Sequence, residues 1–230
     1  MNEIFVQSAY FGIVLSLLTY YIGDFLKRKT KCVFFNPLLI AAILTILFLT
    51  VFDIDYETYN EGAKYLTYLL NPATVCLALP LYRQYNLLKN NVKVILISIL
   101  SGAITCFGFI IMINILIGLE PSLFASLLPK SITTAIAIGV CEEAGGITGI
   151  TVAAVIITGI FSAMIANLMF KLLNIQHPIA KGLALGTAGH AIGTSKAIEL
   201  GEIEAAMSSL AIVVTGLLTV IFVPLIISLC

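Results

Sequence analysis

The sequence predicts an all-α polytopic membrane protein, and three observations carry that expectation. Of 230 residues, 60% are hydrophobic and 10% charged, with a mean hydropathy of +1.09, whereas soluble domains are about a quarter charged. The apolar residues form long runs, with room for roughly seven or eight segments of about 20 residues and for no sizeable soluble domain. The few charges collect in short loops that alternate between basic and acidic. One membrane domain, 1–230, is expected. The formal net charge of zero gives no sign of a nucleic-acid partner. Five cysteines without a CxxC pair or metal-ligand spacing read as small apolar filler.

In chain order, Ile4 to Ile22 is a first span, expected to be retained because the N-terminus lacks the basic region and cleavage site of a signal peptide. Gly23-Asp24 ends it, and Lys27, Arg28, Lys29 and Lys31 mark a cytoplasmic loop. Asn36-Pro37 opens a second span to about Val51, with proline near the start, where its missing N–H costs least. Asp53, Asp55, Glu57 and Glu61 then mark an external loop. Gly62 to Tyr82 reads as a helix broken at Asn71-Pro72 and again at Pro80, followed by a basic loop with Arg83, Lys89 and Lys93. Val92 to Gly118 crosses to Glu120.

Segment 123–141, with Pro129 and Lys130 near its start and Glu142-Glu143 behind it, is expected to enter and leave from one side. Thr148 to Leu173 crosses to Lys171, His177 and Lys181. The glycine-rich stretch 178–200 leads from Lys181 to Glu199, Glu202 and Glu204, which reads as a broken outward crossing near Gly186, and Ala205 to Leu229 returns. About seven crossings and one re-entrant segment follow from these charges. Segments 33–118 and 148–229 then form two span, broken span, span units of opposite topology, offset by roughly 115 residues, around the re-entrant linker 123–141.

Candidate site residues are the polar groups at the breaks. Lys130 in LPKSITT is costly in a bilayer unless solvated or paired. Its ammonium, with the Ser131, Thr133 and Thr134 hydroxyls and a helix N-terminus, suits an anionic substrate; the alternative is a lysine that snorkels to the headgroups. In the second break Thr187, His190 and Thr194 fall at i, i+3 and i+7, on one face if that stretch is helical. A histidine there can bind, carry a proton, or simply be satisfied inside the core. Asn71 and Thr74 are the matching polar groups of the first break, and Lys196 and Glu199 are spaced to pair. Nothing points to catalysis: the three aspartates lie in predicted loops, no phosphate loop or metal spacing occurs, and no oxyanion hole is marked, so neither enzyme activity nor a cofactor is expected.

At Asn71-Pro72-Ala73-Thr74, LPKSITT, EEAGGI and HPIAKGLALGTAGHAIGTSKAIELGE the chain resembles the LrgB/CidB family of antiholin-like bacterial membrane proteins over almost its whole length. It departs from the family pattern at Gly189, where serine is common before the histidine, and at Ala135, where proline is common after the threonines. The resemblance implies a multi-pass protein of the bacterial cytoplasmic membrane, a small LrgA/CidA-type membrane partner, and a part in controlling murein hydrolase activity and autolysis. It equally implies transport of a small monocarboxylate such as pyruvate or glycolate, because the family is related to a chloroplast glycolate/glycerate carrier. Broken helices carrying a lysine and a histidine favour transport as the expectation, with a regulator of autolysis as the alternative and self-association left open.

Overall fold

Proline and glycine punctuate the helices in the computed structural model, which describes residues 10–30, 37–69, 72, 75, 76 and 78–229. Among these, all regular structure is helical. Backbone contacts divide the chain into two units, Met1–Cys76 and Leu77–Cys230. The division falls inside segment 33–118.

In the first unit α1 (Phe11–Thr30) packs against α2 (Pro37–Val51) and α3 (Tyr56–Tyr68). The basic cluster expected in a loop belongs instead to the end of α1: Lys27, Arg28 and Lys29 occupy its last turn, where cations suit the helix dipole, and Arg28 pairs with Asp24 at 2.7 Å. Thr19 and Thr45 share a hydrogen bond of 3.1 Å between α1 and α2, and Ser16 meets the Tyr59 hydroxyl of α3 at 2.7 Å. The acidic stretch is only partly a loop, since Glu57 and Glu61 lie on α3. Asn71 and Thr74, the predicted first break, lie outside the described residues.

The second unit includes α4 (Ala78–Arg83), which carries Pro80, and the predicted break there borders residues outside the described ones. Three helices here are long and apolar enough to cross a membrane: α5 (Tyr85–Ile117), α8 (Thr148–Leu172) and α10 (Glu202–Leu229). With 33 residues α5 is about 50 Å long, beyond the ~30 Å of a hydrocarbon core. Lys89 and Lys93 therefore lie on its first turns rather than in a loop. Gly118, at φ 67°, closes α5 in the left-handed region.

Between α5 and α8 the chain forms α6 (Pro121–Leu127), a turn carrying Lys130, and α7 (Thr134–Glu143). Both arms of this first hairpin meet the start of α8. The Ile147 amide donates to Ser126 Oγ at 2.7 Å, and Thr151 Oγ1 donates to the Ser126 carbonyl and the Cys141 sulfur, both at 2.9 Å.

Between α8 and α10 lies a second hairpin, hidden within one helical run, α9 (Pro178–Leu200). His190 has φ 40° and ψ −130°, which reverses the chain. Gly193 consequently packs on the Leu185 carbonyl so closely that any side chain there would collide with it. The two arms also sit differently on their neighbours. A methyl on Gly182 would stand 2.7 Å from Met207 Cβ, and Gly186 lies on Ser208 and Ala211, so the first arm runs parallel to α10. The second arm returns, with Leu200 packed beside Ala166, Phe170 and Ile175 at the end of α8.

The expected outward crossing of 178–200 is therefore corrected: it starts and finishes at one end of the bundle. Arg83 pairs with Glu202 at 3.2 Å at that end, so Glu199 to Glu204 share a side with the basic residues rather than opposing them. The physical reason is that lysine and arginine set membrane orientation while acidic residues contribute little, so an acidic loop is a poor marker of the outside.

Side chains from the three long helices and both hairpins form two packed layers. Ile95, Ile99, Ile179, Leu183 and Met207 fill the Arg83 end, and Phe107, Ile110, Phe124, Val140 and Val223 the Glu120 end. Single cysteines at 120 and 143 should react together with an impermeant maleimide on intact cells, while cysteines at 83 and 202 should react only after permeabilisation. Labelling of 202 alongside 120 would refute the second hairpin.

Candidate functional site

A cavity of about 600 Å³ opens in the second unit between the two packed layers. Its wall comes from α5, α8, the first arm of α9 and the turn of the first hairpin. The turn of the first hairpin contributes Lys130 and Ser131, α5 contributes Ser98, Gly102, Thr105, Cys106 and Phe109, and α8 contributes Thr158 and Ser162. The first arm of α9 closes it with Ala180, Leu183, Ala184, Thr187 and Ala188. These spacings place the α5 residues on one helix face and put Thr158 and Ser162 one turn apart on α8.

Lys130 is half-buried and donates to Ser131 Oγ at 3.3 Å, and Ser131 Oγ in turn lies 3.3 Å from Cys106 Sγ. Among the described residues no carboxylate is in ion-pair range of Lys130. Lys196, by contrast, pairs with Glu199 at 2.6 Å. The cavity thus presents one unneutralised cation. A charge in such a setting calls for a counter-charge or water. Among the described residues no group of three His, Cys, Asp or Glu side chains could hold a metal ion.

Three of the candidate residues, Lys130, Ser131 and Thr187, come together in this cavity. The expected shared face of Thr187, His190 and Thr194 does not exist, because the break falls at His190 itself and sends the three in different directions. His190 is buried, and its Nε2 donates to the Val155 carbonyl at 3.0 Å. Its ring occupies space that a methyl on Gly159 would fill, at 2.7 Å. Thr194 donates to the His190 carbonyl at 2.9 Å and meets Ser208 of α10 at 2.7 Å. Thr133 caps the start of α7 without a side-chain hydrogen bond, Thr134 opens that helix, and neither is among the cavity-lining residues. Asn71 and Thr74 lie outside the described residues.

Sequence reasoning missed Ser98, Thr105, Cys106, Thr158 and Ser162. The signal was present as small and hydroxyl residues recurring every three or four positions within apolar runs, Ser98-Gly102-Thr105 and Thr158-Ser162. Cys106, read as filler, lines the cavity.

Three long apolar helices alternating with two hairpins, which enter from opposite ends and line an open cavity with a single cation, define a polytopic all-α membrane protein. The chain belongs to the LrgB-like family, whose model matches residues 16–229. It is 44% identical over 220 residues to the antiholin-like protein LrgB of Bacillus mycoides (strain KBAB4), covering 95% of this chain and 96% of that one. Proteins of the same name from Bacillus cereus (strain B4264) and Bacillus anthracis (strain CDC 684 / NRRL 3495) match to the same extent. No solved structure matches. The chain is accordingly a bacterial membrane protein.

Gly193→Ala places a methyl on the Leu185 carbonyl and should destabilise the fold by about 1–3 kcal/mol, as overpacking does. Gly139→Ala, which meets nothing within 4 Å, is the matched control and should leave thermal unfolding in detergent unchanged or slightly raised.

Proposed function

We propose that this chain is an antiholin-like membrane protein, acting with a small LrgA/CidA-type membrane partner to restrain murein hydrolase activity and autolysis. The support is the name carried by relatives that match at 44% identity over nearly their whole length. A second reading is favoured by one observation, the unpaired Lys130 in the cavity. In that reading the protein binds and moves a small monocarboxylate such as pyruvate or glycolate.

Lys130 and Ser131 would hold the carboxylate through charge-assisted hydrogen bonds, and Thr187, Thr158 and Ser162 would line its path. Thr133 and Thr134, which do not line the cavity, have no part in this reading. Hairpins that enter from opposite ends around a central site suit alternating access, as in transporters built from inverted repeats. The two readings are compatible if autolysis responds to the movement of a metabolic acid.

Lys130→Gln separates them in a deletion strain complemented with the variant. Loss of a charged hydrogen bond should weaken carboxylate uptake about tenfold or more. If uptake and autolysis control fall together, the cavity serves both. Normal autolysis with lost uptake assigns regulation to an interface elsewhere, and no saturable uptake into proteoliposomes with or without the partner removes the transport reading.

A further inference from the structure

We infer that the cavity takes an amphiphilic monocarboxylate, an anion with one carboxylate and an apolar tail several carbons longer than a three-carbon acid. The carboxylate lies at Lys130 and the tail runs toward Ala180, Leu183 and Ala184. This deepens the carboxylate-binding reading and rests on it.

Size is the first ground. The cavity measures about 600 Å³ and is open along the side where Ser98, Thr105, Ala180 and Ala184 are exposed, so a three-carbon acid, roughly four waters in volume, would cover only a small part of its wall.

Shape is the second. The α5 wall extends from Ser98 to Phe109, about 16 Å at 1.5 Å per residue. The cation belongs near the Cys106 level, because Ser131 bridges Lys130 to Cys106. At the other end Leu183 packs in one cluster with Ile95 and Ile99, and Thr187 faces Gly102, so Ala180, Leu183 and Ala184 stand level with Ser98. About 12 Å of cavity, the eight residues from Cys106 to Ser98, therefore lies beyond the charge.

Polarity is the third. Thr187 donates its hydroxyl to the Leu183 carbonyl at 2.7 Å and turns its methyl toward Gly102, where a Cβ on the glycine would stand 2.9 Å away. A residue that reads as polar in sequence is thus apolar where it faces α5. Lys130 is the only charged side chain among the described cavity residues, which suits one carboxylate and leaves a second without a partner.

The test uses Cys106 as the reporter in the full chain, reconstituted in vesicles, with its modification by iodoacetamide followed by mass spectrometry of the Cys106 peptide. Acetate, pyruvate, hexanoate, octanoate and, as the neutral control, octanol are the probes. Each buried methylene should add roughly threefold to fourfold in affinity. Octanoate should therefore slow modification at concentrations at least tenfold below those needed with pyruvate or acetate. Octanol should not protect, and Lys130→Gln should abolish protection. Ala184→Leu, which fills the tail end, should remove the advantage of octanoate while leaving short acids unaffected.

Protection by pyruvate or acetate at concentrations equal to or below that of octanoate would overturn the amphiphile and leave anion binding standing. Chain-length dependence unchanged in Ala184→Leu would overturn the placement of the tail. If no acid protects, or if protection survives Lys130→Gln or is matched by octanol, anion binding itself falls.

Discussion

A helix that turns back halfway through an apolar bundle leaves carbonyl and amide groups without helical partners, and in lipid each such group costs several kcal/mol. The second unit is arranged around meeting that requirement twice. At the tip of α9 the His190 carbonyl is taken by Thr194 Oγ1, which also meets Ser208 of α10. His190 itself occupies a backbone conformation that costs roughly 1–3 kcal/mol for a side-chain-bearing residue. Its ring reaches across to the Val155 carbonyl of α8 and helps to hold the reversal in place. At the first hairpin Ser126, Cys141 and Thr151 form the corresponding link to α8. Both hairpins therefore depend on α8, which lies between them in sequence.

Glycine makes the second reversal compact. Hydrophobic collapse supplies little force between helices in lipid, so association rests on close backbone approach and on hydrogen bonds. Gly193 lets the two arms of α9 meet, and Gly182 and Gly186 seat the first arm on α10. The α9 sequence thus reads as glycine-rich for reasons of distance. Its regular spacing every four or so residues marks a packed face.

Much of the fold was legible in the sequence because hydropathy and length report directly on the long helices. The spans around 92–118, 148–173 and 205–229 appear as α5, α8 and α10, and 123–141 forms a helical hairpin within Pro121–Glu143. The second hairpin was not legible as such. A break at Gly186 and a reversal at His190 have almost the same composition, and only the φ of His190 distinguishes a kinked crossing from a return. Acidic residues at 199–204 then misled, since the pairing of Arg83 with Glu202 depends on a contact 119 positions apart. For the site, Lys130 and Ser131 stand out because ionisable and polar residues are scarce in apolar sequence. Thr158 and Ser162 do not, since hydroxyl residues are common in membrane helices, where they bond to their own backbone.

The two hairpins use their polar residues in opposite ways. The first turns Lys130 and Ser131 into the cavity. The second spends its polar groups on packing: Thr187 bonds to Leu183, Thr194 to His190 and to Ser208 of α10, and His190 to Val155 of α8. What α9 offers the cavity is a surface of alanines, a leucine and a threonine methyl. Charge and apolar wall therefore come from different hairpins, which insert from opposite ends between the same three helices. Any relative movement of the two hairpins would change the distance between the cation and the apolar wall, and it would have to break the hydrogen bonds that tie each hairpin to α8 or α10.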